Sequence, residues 1–474
     1  MRTRITRRDL MAGGAGALAL AAVRRRAAAQ QAKPNILFIM ADDLGYADLS
    51  CYGRREYTTT NIDRLALSGV RLLHAYSNSA VCSATRTGLI TGRYQYRYPI
   101  GLEEPLNMRD VGLPPDVPTL PSQLKKAGYS TALIGKWHLG NPSKYGPQVS
   151  GYDRFYGITA GGSDYFDHEE SLWDGQEKAN DEGYLTDLFT DRAVSTVESL
   201  AHAGAPFFIS LHFNAPHWPW EGPQDAEEAR RLTERGAGAI VHYDGGSLAT
   251  YAQMVLAMDA GIGRVLSALE RAGVAENTIV IFTSDNGGER FSDTWPFSGK
   301  KTELLEGGIR IPAIVRWPGV VPAGAISNQT AMSMDWLPTL LAAAAVSTDP
   351  SSPPDGIDLG AQLRGGPPVS RKLFWRYKFN SQQAMRDGDW KYLKIQDNTF
   401  LFNVVDDPLE RANLKTRRPE VYDRMTAEWR AWDSTMLPLD PVSFTAGFGS
   451  NEMADHVGAP RRVRTPPPGE PLKL

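Results

Sequence analysis

Asp42-Asp43 and Asp285-Asn286 place four side-chain oxygen donors at the ends of two apolar runs. Hard donors of this kind suit Ca²⁺ or Mg²⁺ rather than zinc. A lone Asp-Asp pair is more often a turn or a helix cap. Two such pairs at equivalent places point instead to a shared cation. His138 and His217 stand just beyond two further apolar runs, in Gly135-Lys136-Trp137-His138 and Asn214-Ala215-Pro216-His217. Imidazoles there are candidates for proton transfer, and Lys136 is a candidate for holding an anion. Either histidine alone reads as a packed structural residue; the common position at run ends favours catalysis. Cys82-Ser83-Ala84-Thr85-Arg86 adds a thiol and a guanidinium. Cys51 is the other cysteine of the chain, so a Cys51–Cys82 disulfide is one reading for an exported protein. Otherwise Cys51 is a packed thiol.

The elements that must position these residues are legible in outline. Residues 35–40, 130–134, 207–211 and 278–282 are continuous apolar runs, the pattern of parallel strands buried on both faces. Helical patterns lie between them. The clearest runs from Leu248 to Ala272, with Tyr251, Met254, Val255, Met258, Ile262, Val265, Leu266 and Leu269 on one stripe. This alternation predicts an α/β fold, a large, mostly parallel sheet sandwiched by helices. Ligands in open α/β sheets bind beyond the carboxyl ends of the strands. All four runs deliver polar residues at that end, so a single site is expected there.

Composition shifts at Gly365-Gly366-Pro367-Pro368. Beyond it, Lys372–Tyr377 and Ala384–Ile395 read as strands, with a turn signal at Asp387-Gly388. Pro419 opens a helix with Val421, Tyr422, Met425, Trp429 and Trp432 on one face. The expected organisation is a catalytic domain over 33–365, a small antiparallel sheet plus helix over 366–439, and an irregular tail over 440–474. No internal repeat is visible. Asp164, His168, Trp173 and His242 fall in irregular stretches (159–183 and 220–247). Such loops often carry specificity, but each residue alone is expected to be a solvated loop residue.

With 474 residues, 42% hydrophobic and 22% charged, the chain has the make-up of an ordinary globular protein. Residues 1–29 read as a signal segment. Arg7-Arg8 precedes an apolar run from Met11 to Val23, and Ala27-Ala28-Ala29 offers a cleavage site. The run is too short for a good membrane span, so no stable membrane insertion is expected. Loss of this segment removes seven arginines and one Asp, leaving 44 basic and 53 acidic side chains of the original 51 and 54. That balance argues against a nucleic-acid partner. The expected partner in export is the twin-arginine translocase, and the expected destination is periplasmic or extracellular.

Cys82 to Arg86, followed by Thr91-Gly92-Arg93, resembles the signature of the sulfatase family, Cys-x-Pro-x-Arg and a helix ending in Thr-Gly-Arg. Ala84 stands where that signature has Pro. The resemblance continues through Asn35 to Gly53, Thr60 to Leu65, Gly135 to Gly140, Ala215 to Pro219, Glu306 to Pro312 and Leu401 to Leu414, covering roughly residues 34–435. It implies an alkaline-phosphatase-like fold and hydrolysis of sulfate esters, small or glycan. It also implies that a formylglycine-generating enzyme oxidises Cys82 to formylglycine before folding. The implied metal is Ca²⁺, with Mg²⁺ the alternative, on Asp42, Asp43, Asp285, Asn286 and residue 82. Arg86 would hold the aldehyde hydrate, Lys136 and Lys301 the sulfate oxygens. His217 would assist the leaving oxygen, and His138 would deprotonate the second hydroxyl so that sulfate is expelled. Lys301 is preferred to Lys300 because it lies five residues before Glu306. Two alternatives compete: a phosphate or phosphonate ester hydrolase of the same superfamily, and a non-catalytic sulfated-glycan-binding protein. The latter would have lost Cys82, the carboxylates or His138, and none is lost.

Overall fold

Along Asn35–Ala41 every residue is buried, and successive side chains enter different cores. Ile36, Phe38 and Met40 join one apolar cluster, whereas Leu37, Ile39 and Ala41 join another. A strand apolar on both faces has to lie inside a covered sheet, and the period of two assigns its side chains to two helical layers. The computed structural model describes residues 33–102, 104–105, 110–236, 242 and 244–439. The expected signal segment and the tail from 440 lie outside these residues.

Asn35–Ala41 pairs in parallel with Phe207–His212 and with Thr278–Ser284. Ser130–Gly135 and then Arg154–Ile158 extend the parallel set. Antiparallel strands flank it, Ala313–Arg316 on one side and Leu172–Asp174 on the other, and the sheet reaches ten strands. The fold is therefore a large, mostly parallel sheet between helices. Leu248–Arg271 packs Met254, Met258, Ile262 and Val265 into one cluster beside the helix Leu185–Ala203. Its length and apolar content match a membrane span, yet its stripe is buried in the core of the sandwich. Leu266 is the member of the expected stripe that stays partly exposed.

The second sheet is antiparallel, Lys372–Tyr377, Gln382–Asp387, Trp390–Ile395 and Asn398–Asn403 in order. The Asp387-Gly388 turn divides the expected 384–395 segment into two strands. The fourth strand was not expected. The helix Pro419–Asp433 buries Met425 and Trp429 against one face. Leu373, Trp375 and Ala384 on the other face pack against Tyr76, Ile309 and Met332 of the large sheet's side.

A buried ionic cluster joins the two sheets. Lys391 Nζ lies 3.0 Å from Glu306 Oε1 and 2.9 Å from Glu410 Oε1. Glu306 also accepts from Tyr76 Oη at 2.5 Å and pairs with Arg310 at 3.1 Å. Burial alone would push the Glu306 carboxyl up; Lys391 and then Arg310 hold it well below the usual carboxylate range instead. The cluster anchors the turn Glu306–Ile309, five residues past Lys301.

Three loop residues expected to be solvated are buried. Asp164 accepts from the backbone N–H groups of Phe166 and Asp167, both at 2.8 Å. His168 Nε2 meets Gly183 O at 3.0 Å. His242 accepts from Trp220 N at 3.0 Å through Nδ1 and contacts Glu228 through Nε2 at 2.7 Å. Burial demands partners for polar groups, and these side chains supply them to long loops. Trp173 sits in the strand Leu172–Asp174, between Arg154–Ile158 and the edge strand Glu177–Lys178, under the Lys178 ammonium.

Candidate active site

Cys82 begins the helix Cys82–Thr91, every residue of which is buried. Val81 is extended, so the chain turns sharply into the helix, and Thr85 Oγ1 accepts from Ser79 N at 3.0 Å. The helix ends at Gly92 in the left-handed region, where a Cβ would lie 2.9 Å from Leu337 Cβ. Glycine is the residue that meets both demands. Cys82 thus sits at the positive end of a helix dipole, a position suited to an anion. Both cysteines are free, which removes the disulfide reading. Burial, then Asp42, pushes the Cys82 thiol well up. An unmodified Cys82 is therefore a protonated thiol and a poor nucleophile, since the thiolate is the reactive form. Cys51 is half-buried against the core, and burial and then Asp63 push its thiol up too.

Strand ends deliver the remaining groups. Asp42 and Asp43 follow Asn35–Ala41; Asp285 and Asn286 follow Thr278–Ser284. Gly135 ends its strand at φ 105°, and a Cβ there would meet His212 O at 1.8 Å, so glycine is what lets the chain pass into Lys136. All of these side chains are buried. Arg86 donates to Asp285 Oδ2 from Nε at 3.1 Å and Nη2 at 2.8 Å, and from Nη1 to Lys136 O at 2.9 Å. Lys136 Nζ pairs with Asp42. Lys301 Nζ donates to Asp43 Oδ2 at 2.7 Å and lies 3.4 Å from Glu289. Lys300 is half-buried, and it is Lys301 that reaches the carboxylates.

The three neighbouring carboxylates repel one another in a buried setting. Burial and then Asp285 push Asp42 well up; burial also pushes Asp43 up, against the pull of Lys301. Burial would raise Asp285 as well, but Arg86 and then Lys136 hold it below the usual range.

These residues fit a divalent cation. Asp42, Asp43, Cys82 and His217 present donor atoms within 4.8 Å of one another. Asn286 Nδ2 donates to Asp43 Oδ1 at 2.7 Å, leaving Asn286 Oδ1 free as an acceptor. Asn286 Oδ1 and Asp42 Oδ1 are buried with no hydrogen-bond partner among the described residues. A cation satisfies acceptor-only atoms of this kind.

Both histidines lie within electrostatic reach of Lys136 and Lys301. His138 has φ 55° and Asp43 φ 61°, a backbone region that non-glycine residues adopt at a cost of about 1–3 kcal/mol each. Neither ring nitrogen of His138 has a hydrogen-bond partner among the described residues. Burial, then Lys136, Arg86 and Lys301, push its pKa well down, which keeps the ring neutral. His217 is lowered in the same way by burial and then Lys301. Its Nδ1 lies 2.6 Å from Trp218 O, which places the hydrogen on Nδ1 and leaves Nε2 open, 3.5 Å from Asp43 Oδ2.

Two nearby residues escaped the sequence reading. Glu289 lies four positions past Asp285, beyond the Gly-Gly turn, with no motif to mark it. His212 ends Phe207–His212 and places Nδ1 3.3 Å from Lys136 O, beneath Arg86. Its position at a strand end is the signal that marks it in the sequence.

Carboxylates, fixed cations and neutral imidazoles converging on one buried residue at the carboxyl edge of an α/β sheet define a hydrolase of anionic esters. Residues 34–346 match the Sulfatase family, and the chain belongs to it. It is a sulfuric ester hydrolase of the alkaline phosphatase superfamily. Among its relatives is mouse Arylsulfatase J, 29% identical over 86% of this chain and 77% of the relative. Mouse N-acetylgalactosamine-6-sulfatase is 30% identical over 79% of this chain and 74% of its own length. The crystal structure of Ps i-CgsB in complex with k-i-k-neocarrahexaose superimposes with a TM-score of 0.78 at 30% identity, over 87% of this chain and 95% of that one.

Proposed function

We propose that this enzyme removes sulfate from a sulfated sugar, using a formylglycine made from Cys82 and a Ca²⁺ ion held by Asp42, Asp43, Asp285 and Asn286. The observation that carries this reading is the convergence of Cys82 with those donors, Arg86, Lys136 and Lys301. The sugar is supported by the relatives: one similar structure holds a neocarrahexaose, and one similar enzyme is named for N-acetylgalactosamine 6-sulfate chemistry. A formylglycine supplies an oxygen nucleophile where the protonated thiol offers none. A divalent cation lowers the pKa of an oxygen it binds and neutralises charge on the sulfate group.

The chain's own residues do the rest. Lys136 and Lys301 are fixed in advance beside the carboxylates, so they receive sulfate oxygens without reorganising. Arg86 holds Asp285 in place from beneath. His138, neutral and without competing hydrogen bonds, takes a proton in the step that frees sulfate. His217 keeps its Nδ1 hydrogen on Trp218 O, so Nε2 is the atom that exchanges a proton with the leaving oxygen. An anion bound nearby offsets the lysines and raises the affinity of Nε2 for that proton.

Leaving-side help matters most for a poor leaving group. His217→Ala is expected to slow a sugar sulfate by about 10²–10⁴-fold, the usual worth of general acid catalysis. Nitrophenyl sulfate, whose phenolate departs unaided, is expected to slow far less. Paired steady-state assays check this, and equal losses on both substrates would remove His217 from the leaving side.

Calcium removal tests the metal. A ligand that binds only the folded state stabilises it by about 4 kcal/mol at a thousand times its Kd. Chelation is therefore expected to abolish turnover and lower Tm, and added Ca²⁺ to restore both. Metal analysis of active enzyme that finds two zinc ions per chain, with sulfate esters hydrolysed no faster than phosphate esters of the same alcohol, would overturn the proposal.

A further inference from the structure

Glu289 belongs to neither the proposed metal set nor the proton-transfer pair, yet it is buried beside them. Its Oε1 lies 3.4 Å from Lys301 Nζ, the same ammonium that donates to Asp43 Oδ2 at 2.7 Å. Ion pairs link Glu289 through Lys301 to Asp43, and link Arg86 and Lys136 to Asp42 and Asp285. Among the described residues, the four carboxylates and three cations joined by these ion pairs carry one net negative formal charge. A divalent cation converts that into one net positive charge, which a single monoanion cancels.

We propose that Glu289 is a specificity-determining residue: by tempering Lys301 and lowering the site's positive charge by one, it matches the cation-loaded site to monoanionic sulfate esters and against dianionic phosphate esters. This rests on the proposed calcium site and deepens it. A sulfate monoester and a phosphate monoester share a tetrahedral shape and three terminal oxygens, so shape separates them poorly. Charge separates them well, because the phosphate ester carries close to two negative charges above its second pKa of about 6. In a buried site a unit charge a few ångströms away is weakly screened, so removing one is felt strongly by the ligand. With Glu289 neutral, the loaded site carries two positive charges and suits the dianion better.

The test uses the full-length Cys82→Ala protein loaded with Ca²⁺, so that binding is read without turnover. Phenyl sulfate and phenyl phosphate are titrated calorimetrically at about pH 8, where the phosphate ester is a dianion. Phenyl sulfate is expected to bind more tightly. Adding Glu289→Gln is expected to shift the ratio of the two affinities toward phosphate by roughly tenfold or more. Glu289→Asp, which keeps the charge, is expected to retain the parent ratio. A purely structural role for Glu289 would weaken both ligands together and leave the ratio unchanged, and that result overturns the inference. So does tighter binding of phenyl phosphate to the Cys82→Ala parent, a comparison that needs no Glu289 variant to fold. Failure of Ca²⁺ itself to bind the parent would overturn the underlying metal assignment together with the inference. An unchanged ratio with Ca²⁺ bound overturns the inference alone.

Discussion

Cys82→Ala is expected to lower sulfate-ester turnover by roughly 10⁴–10⁶-fold, the loss that follows removal of a covalent nucleophile from an otherwise intact site. The fold is expected to survive. Position 82 is the first residue of a helix, Ala is the best helix former, and the side chain removed is a single buried sulfur. Arg86, Lys136 and Lys301 make their ion pairs with carboxylates, so none of them loses its partner. The check is turnover alongside circular dichroism and Tm. Near-normal activity in a folded Cys82→Ala protein would mean that another group attacks sulfur.

Arg86→Met is expected to produce the largest loss of stability, about 3–5 kcal/mol in metal-free protein, the usual cost of leaving one member of a buried ion pair uncompensated. Arg86 is 2% exposed and donates two hydrogen bonds to Asp285 and one to Lys136 O. The pH dependence has a definite sign. With Arg86 present, Asp285 lies below the usual carboxylate range, and its contribution to stability is lost only as pH falls through that depressed value. Without Arg86, burial dominates and the Asp285 pKa rises. A raised carboxyl stabilises below its unfolded pKa and loses that contribution as pH rises through the folded value. The variant is therefore expected to be weakest at neutral and alkaline pH, to recover toward pH 5, and to be partly rescued by Ca²⁺. Urea unfolding of the metal-free and Ca²⁺-loaded protein across that range reads all three effects.

The site was legible where polar residues immediately follow apolar runs. Asp42, Asp43, Lys136, His138, His217, Asp285 and Asn286 owe their convergence to backbone position at the ends of parallel strands, and a largely apolar run of five or six residues announces such a strand. Side-chain reach leaves no such mark. Glu289 reads as a loop residue after Gly287-Gly288; only the paths of Lys301 and the Gly-Gly turn bring it to the site. The buried Lys391–Glu306–Glu410 cluster was hidden for the same reason. Lys391 lies in a strand that reads as half-solvated, and its burial follows from docking of the small sheet on the large one.

Strand boundaries followed local chemistry. Lys372–Tyr377 carries Phe374, Trp375 and Tyr377, the aromatic residues that strands favour, and Pro419 fixes the start of its helix. Asn398–Asn403 begins and ends with Asn and is only partly buried, so tertiary pairing with Trp390–Ile395 rather than pattern makes it a strand. The loop residues Asp164, His168 and His242 were misjudged because polarity in an irregular stretch suggests solvent. Here the loops fold back on the sandwich, and their backbone N–H and C=O groups need internal partners.

The central claim, that residue 82 of the working enzyme is an aldehyde at a sulfate-binding calcium site, is tested most directly on the peptide that contains it. Active enzyme is treated with a hydrazide probe, digested, and the residue 82 peptide is weighed and sequenced by mass spectrometry. Formylglycine or its hydrazone at position 82, in a fraction that tracks specific activity across preparations, is the result expected. Fully active enzyme that carries only unmodified cysteine at position 82 would contradict it.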